Sequence, residues 1–193
     1  PLLVRQMAKD APNASIELNP LSGDFLEQLR AGRADIAVYP LDTVPKDFHR
    51  LELYQSRRGI LVRQGHPLIK KYDDLRAFKH VMMNLPGTPE LSPAAYQQYA
   101  FEVGISLPYF LGVPYVLADT DYVYIGPVVT LMHCLRLPDC NLRVLPAPPE
   151  VFPFTPAIIW HHGAHTDPFL QWVRGVLLQS AREEAKRYNA IEI

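Results

Sequence analysis

The apolar pattern of the chain changes period at Gly32. Before it, Leu26 and Leu29 share one helical face; after it, Ala34 to Tyr39 run mostly apolar, as in a strand buried on both faces. Glycine can adopt the left-handed conformation that ends a helix, so the pattern predicts a helix, a glycine stop and a strand. Upstream, Asp24 and Glu27 have the D-x-x-E spacing of a capping box, which fixes where that helix begins.

The same reading extends in both directions. Leu3, Met7 and Ala11 have helical spacing that closes at Pro12-Asn13, and Ser15 to Leu18 alternate as a short strand. Strands are expected at Leu51 to Tyr54, Gly59 to Arg63, His80 to Asn84, Ile105 to Phe110, Tyr122 to Gly126, Leu142 to Leu145 and Ala157 to Trp160. Helices are expected at Asp73 to Phe78, from Ser92-Pro93 to Gly104, at Pro114 to Thr120 and at Val128 to Leu135. Asp167-Pro168 supplies an N-cap followed by proline at the first helical position, with Leu170, Val173, Leu177 and Ala181 on the buried face. Such alternation of strands and helices implies parallel pairing. Residues 146 to 156 contain five prolines, which suit an extended crossing strap better than a helix or a central strand. Two crossings, near residue 63 and in this strap, divide the chain into lobe I, residues 1–63 with 152–193, and lobe II, residues 64–151. Open α/β sheets bind ligands where their strand order reverses, so a cleft between two such lobes is the expected site.

Composition removes several function classes. At 193 residues, 48% hydrophobic and 20% charged, the chain has the balance of a globular protein. A net charge of −1 offers no basic field for nucleic acid. No apolar run is long enough to span a membrane, and no leader pattern is visible. Cys134 and Cys140 do not make a disulfide framework, and a reduced, cytoplasmic setting is the simpler reading.

Four short segments, spread in order along the chain, carry a resemblance. Leu29-x-x-Gly32-x-x-Asp35 followed by small and apolar residues is the first, and Gly65-His-Pro-Leu68 after an apolar strand is the second. Pro108-Tyr-Phe110 with Ala118-Asp-Thr-Asp121 is the third; Trp160-His161 with Asp167-Pro168 is the fourth. Together they resemble the effector-binding domain of LysR-type transcriptional regulators, and the last two resemble its nodulation and aromatic-catabolism branch. The resemblance implies an α/β fold of two Rossmann-like lobes joined by two crossovers, like type 2 periplasmic binding proteins. It also implies a first central strand and a DNA-binding winged helix-turn-helix, both expected outside this chain. A homodimer or tetramer, contact with RNA polymerase by the full-length protein and no cofactor follow from the same resemblance.

His161, His162, His165 and Asp167 are the densest set of metal-ligand types, but adjacent strand residues point oppositely, and a surface loop is the preferred reading. His133 and Cys134 are helix neighbours that do not face one another, which removes a nucleophile and base pair. No dinucleotide fingerprint, Walker motif or nucleophile elbow occurs, and Asp73-Asp74 and Glu183-Glu184 read as solvated positions. No catalytic or metal residue is assigned.

Aromatic residues gather instead near strand ends: Tyr39, Tyr109, Phe110, Tyr122 and Tyr124. Each could fill core or line a pocket. The resemblance places an effector pocket on the segments matching Ser22, Tyr39, Asn84, Thr88, Tyr109 and Phe110, with Pro40 as a wall. Asp24 lies beside Ser22 and no arginine falls in these segments, so a largely neutral aromatic ligand fits better than a strongly anionic one. The family often has Thr-Asp-x-x-Ala-Thr where this chain departs with Thr120-Asp-Tyr-Val-Tyr-Ile125, and the two tyrosines, Tyr122 and Tyr124, would change pocket size or polarity. The resulting expectation is a non-enzymatic sensor that controls DNA binding by the absent domain. The alternatives are a type 2 periplasmic solute-binding protein, which shares the fold, and an enzyme of porphobilinogen-deaminase type, which would need a catalytic constellation.

Overall fold

The computed structural model describes residues 2–67, 72–83, 100–147 and 155–189. Two compact units form, one from residues 1–55 with 155–187, the other from residues 56–154 with 188–193.

In the first unit, α1 (Leu2–Asp10) leads through an irregular segment to α2 (Phe25–Arg30), then to strands β1 (Ala37–Tyr39) and β2 (Phe48–Glu52). The helix stop forms as the sequence requires. Gly32 has φ of +67°, its amide donates to the Leu29 carbonyl, and Arg33 N donates to the Gln28 carbonyl. These two bonds define a Schellman motif. The capping box does not form: Asp24 makes no side-chain cap bond and instead accepts from the Gln28 amide at 3.1 Å. With φ of −101° and ψ of 18°, Asp24 lacks the extended backbone from which an N-cap side chain reaches the first free amides of the helix.

Ser15 to Leu18 form no strand, and Leu18 is 83% exposed. Alternation supplies two faces but not a ladder, and no described strand pairs with this segment.

Unit 2 begins with β3 (Arg58–Arg63), followed by a 3-10 turn at Tyr72–Ala77, β4 (Lys79–Met83) and β5 (Glu102–Leu107). Helix α3 (Val113–Ala118), β6 (Tyr124–Pro127), α4 (Val128–Cys134) and β7 (Leu142–Pro146) complete it. The chain then returns to the first unit as β8 (Ala157–His161) and α5 (Pro168–Asn189). Asp167 caps α5 as the sequence indicates, its carboxylate accepting from Leu170 N at 2.9 Å.

Parallel pairing, expected from the alternation of elements, is overturned for most strands. β8 lies between β1 and β2 and is antiparallel to both; β3 lies between β6 and β7, again antiparallel to both. Among the described residues only β4 and β5 pair in parallel, with an isolated parallel bridge from His80 to Val123. The reason lies in the returning strands. β8 enters the sheet from the opposite end and separates two strands that run the same way. The apolar runs of β3 and β8 are buried on both faces whichever way the neighbours point, with Ile60, Leu61, Val62, Ile158 and Ile159 fully buried; β1, expected to be the same, is buried on one face only, with Val38 48% exposed.

Among the described residues, two apolar clusters hold each unit. In the first, Leu29, Ala37, Tyr39, Phe48 and Ile159 pack on one face of the sheet, while Leu53, Ile158 and Trp160 meet Leu177, Leu178 and Ala181 of α5 on the other. In the second, Ile60, Val62 and Val123 belong to one cluster and Leu61, Val81, Leu117 and Leu131 to the other. Burying one such branched side chain contributes about 1.5–3 kcal/mol. The strand positions therefore fix which residues remain at the strand ends. The proline-rich strap at 148–154 and the start of the helix expected at Ser92-Pro93 lie outside the described residues.

Candidate effector site

On the first unit, Ser22 precedes α2 and its hydroxyl accepts from the Gln28 amide at 2.8 Å. Gln28 also reaches Asp24, so one amide ties both residues to the helix. Hydrogen bonding from Ser22 holds the Asp24 carboxyl below its ordinary range, with smaller help from Gln28. This corner presents a carboxylate together with a hydroxyl that is already engaged. It favours neutral or donor groups over anions.

Tyr39 ends β1 but is only 4% exposed, with its ring tilted against Phe25 at 5.5 Å between centroids. Leu21 and Phe25 pack against the same cluster. The Tyr39 ring is a core residue as well as a strand-end residue. Pro40, the next in the chain, is half-buried.

On the second unit, the strand expected to continue through Phe110 stops at Leu107. Pro108 cannot donate to a further ladder bond, and Phe110 starts a short 3-10 turn that runs into α3. Tyr109 is the extended residue between them, with φ of −132° and ψ of 137°. The two rings consequently part company through a turn, not through strand alternation. Tyr109 is 66% exposed, whereas Phe110 is half-buried against Tyr124 at 5.6 Å. Tyr124 is itself buried and Tyr122 half-buried, so these two departures from the resembled pattern contribute to the cluster around Leu61 and Val81. Asn84 and Thr88 lie outside the described residues.

The Gly65-His66-Pro67 part of the second resembled segment forms a structural joint. His66 is 3% exposed and its ring nitrogens lie 2.7 Å from the Pro67 carbonyl and 3.1 Å from that of Asp121. Arg143 donates to the His66 carbonyl, and Arg63 pairs with Asp121. These bonds tie the end of β3 to β7 and to the turn before β6.

Sequence reasoning missed Gln28 as the residue that organises Ser22 and Asp24. The signal available was its position four residues beyond Asp24, one helical turn away. Among the described residues, no group of three histidine, cysteine or acidic side chains is arranged to hold a metal ion.

This architecture and these residues find a match over residues 1–182 in the LysR substrate binding domain. The chain belongs to that family, the substrate-binding domain of LysR-type transcriptional regulators. It is 28% identical over 192 residues to the HTH-type transcriptional regulator SyrM of Rhizobium meliloti strain 1021, covering 94% of this chain and 57% of SyrM. It is also 28% identical over 190 residues to Nodulation protein D 1 of Rhizobium tropici, covering 93% and 60% respectively. The chain thus spans less than two thirds of these relatives. In fold it is similar to the regulatory domain of MexT, a transcriptional activator in Pseudomonas aeruginosa, with a TM-score of 0.76 at 22% identity, covering 93% of this chain and 91% of that one. The type 2 periplasmic-binding-like α/β fold expected from the sequence is the fold of these regulatory domains.

Proposed function

We propose that this chain senses a small, largely neutral aromatic effector in a cleft between two regulatory lobes and so controls DNA binding by an N-terminal winged helix-turn-helix. The observation that carries the reading is the exposed Tyr109 ring directly after β5, beside a Phe110 ring anchored on Tyr124. An exposed aromatic with a polar tip, mounted on a packed neighbour, is an economical ligand wall. Ser22, Tyr39, Pro40, Asn84, Thr88, Tyr109 and Phe110 form the proposed pocket set, with Tyr39 acting through its packing. The engaged Ser22 hydroxyl and the Asp24 carboxylate support a neutral ligand.

In this reading the domain is non-enzymatic and works by population shift: the effector must prefer one lobe arrangement, since tight binding to both would move nothing. A coupling of about 1–3 kcal/mol is enough to reset DNA affinity. The acting species is a cytoplasmic homodimer or tetramer, which reaches DNA through the N-terminal domain and meets RNA polymerase at the promoter.

The test is a panel of neutral aromatics, aromatic carboxylates and aliphatic acids, screened by calorimetry on this chain and by operator binding with the full-length regulator. Neutral aromatics should bind best and alter operator affinity. Preferential binding of aliphatic acids, without any response to aromatics, overturns the ligand class.

A further inference from the structure

His49 on β2 lies opposite Trp160 of β8 in the strand register, and its ring nitrogen Nε2 is 3.0 Å from Nδ1 of His162. The two ring centroids are 5.3 Å apart with the planes only 24° from parallel. That separation is about the N···N distance plus two ring radii, so the nitrogens point at one another along a common line, as in an N–H···N hydrogen bond. A metal on that line would need the nitrogens about 4 Å apart, twice the usual metal–imidazole distance. The pair is therefore built around one shared proton.

His165 completes the group. It stacks on His49 at 4.0 Å between centroids, and its Nδ1 accepts from the Trp160 indole N–H at 3.3 Å. Indole is a donor only, so this His165 nitrogen has to keep its lone pair. Trp160 is stacked on His49 at 5.3 Å and carries the Arg174 guanidinium over its ring at 4.5 Å.

We propose that His49, His162 and His165 form a proton-sensitive clasp that fastens the connection between β8 and α5 onto β2 when neutral and releases it in acid. One added proton can enter the His49–His162 pair and leave its hydrogen bond intact. A second sets N–H against N–H within that pair, and a proton on Nδ1 of His165 does the same against the indole. An unfolded chain can protonate the His49 ring freely.

The charges around the group reinforce this. Arg174 of α5 is the cation facing it, and Arg30 of α2 is spent on Asp47 at 2.7 Å. Asp47, ahead of β2, has His161 at 3.8 Å, and Asp167 caps α5. Neither carboxylate accepts a hydrogen bond from the three clasp rings. Burial, followed by His165, His162 and Arg174, holds His49 below its ordinary value of 6.5. Because the folded value is the depressed one, the stability that His49 contributes is complete above 6.5 and is lost as pH falls through its folded value.

Histidine NMR across about pH 7.5 to 4.5 tests the clasp, together with melting of the wild-type chain and His49→Phe, which keeps a stacking ring without a titrating nitrogen. The His49 ring should titrate with a midpoint below 6.5, the Gly163 to Thr166 amides should shift with it, and the wild-type melting temperature should fall more steeply in acid than that of His49→Phe. A His49 midpoint at or above 6.5, loop amides that ignore it, or equal acid slopes in the two proteins would overturn the proposal. If His49→Phe does not fold, the wild-type ring and amide titrations decide alone.

Discussion

The guanidinium of Arg174 sits 4.5 Å from the centre of the Trp160 ring while donating to the carbonyls of Ala164 at 3.1 Å and His165 at 2.9 Å. One side chain of α5 thereby closes the turn that connects the helix to β8. Only 6% of Arg174 is exposed; burial lowers its pKa from the ordinary arginine value and Asp167 opposes that, while these contacts offset the cost of burying the charge. Arg174→Ala should cost about 2–4 kcal/mol, combining a cation–π contact with two charge-assisted hydrogen bonds. Arg174→Lys should recover only part, because an ammonium cannot reproduce the planar fork. Urea unfolding measures both; an alanine variant of wild-type stability refutes the assignment.

Gly32 gives a narrower test. Its φ of +67° belongs to the left-handed region, yet a Cβ there would meet nothing within 4 Å. Any loss on Gly32→Ala is then backbone strain alone, about 1–2 kcal/mol, and Gly32→Asn should lose less. Equal losses for the two variants in chemical denaturation would point to some other cause.

Gly32 also marks how far the sequence could be read. Local features such as the glycine stop, the Asp167 cap and the apolar runs of β3 and β8 depend on nearby residues and were legible. Capping by Asp24 was not, because it needs an extended Asp24 backbone that the D-x-x-E spacing does not fix. The direction of pairing was hidden too, since β8 enters its sheet after a long excursion through unit 2. Tyr109 and Phe110 were legible as an aromatic pair, but their opposite environments arise from Pro108 and a 3-10 turn that periodicity does not encode. His49 was invisible as a partner of His162 and His165 because 113 residues separate it from the ring it bonds.

The two thiols should be inert in the native state. Burial, with a smaller contribution from Cys140, pushes the Cys134 thiol up to about 11, and both cysteines are buried. Near pH 8 almost no Cys134 thiolate exists to attack a reagent. Labelling with an aromatic disulfide should be slow for the folded chain and fast in urea. Rapid native modification of Cys134 would contradict this placement.

Helix α5 offers a stabilising change. Gly175 lies inside its 22 residues, and a Cβ at that position would meet no atom within 4 Å. Gly175→Ala should therefore gain about 0.5–1 kcal/mol by reducing the entropy lost on folding. Thermal melting should move upward with no change in the baseline spectra; a decrease would mean that the space is needed.

The proposed aromatic wall can be separated from core by its two neighbours. Tyr109 is 66% exposed, so Tyr109→Ala should leave the melting temperature nearly unchanged, whereas Phe110→Ala removes a ring packed on Tyr124 and should lower stability by about 1–3 kcal/mol. For a neutral aromatic effector, loss of a wall contact should weaken binding by about 1–3 kcal/mol, which is roughly tenfold or more. The decisive comparison is calorimetry on Tyr109→Ala, with Tyr109→Phe isolating the hydroxyl. Weakened binding in a fully folded Tyr109→Ala, with partial recovery in Tyr109→Phe, assigns a contact to the ring and a second to its polar tip. Wild-type affinity in both variants removes Tyr109 from the pocket and leaves Phe110 with no role beyond its packing against Tyr124.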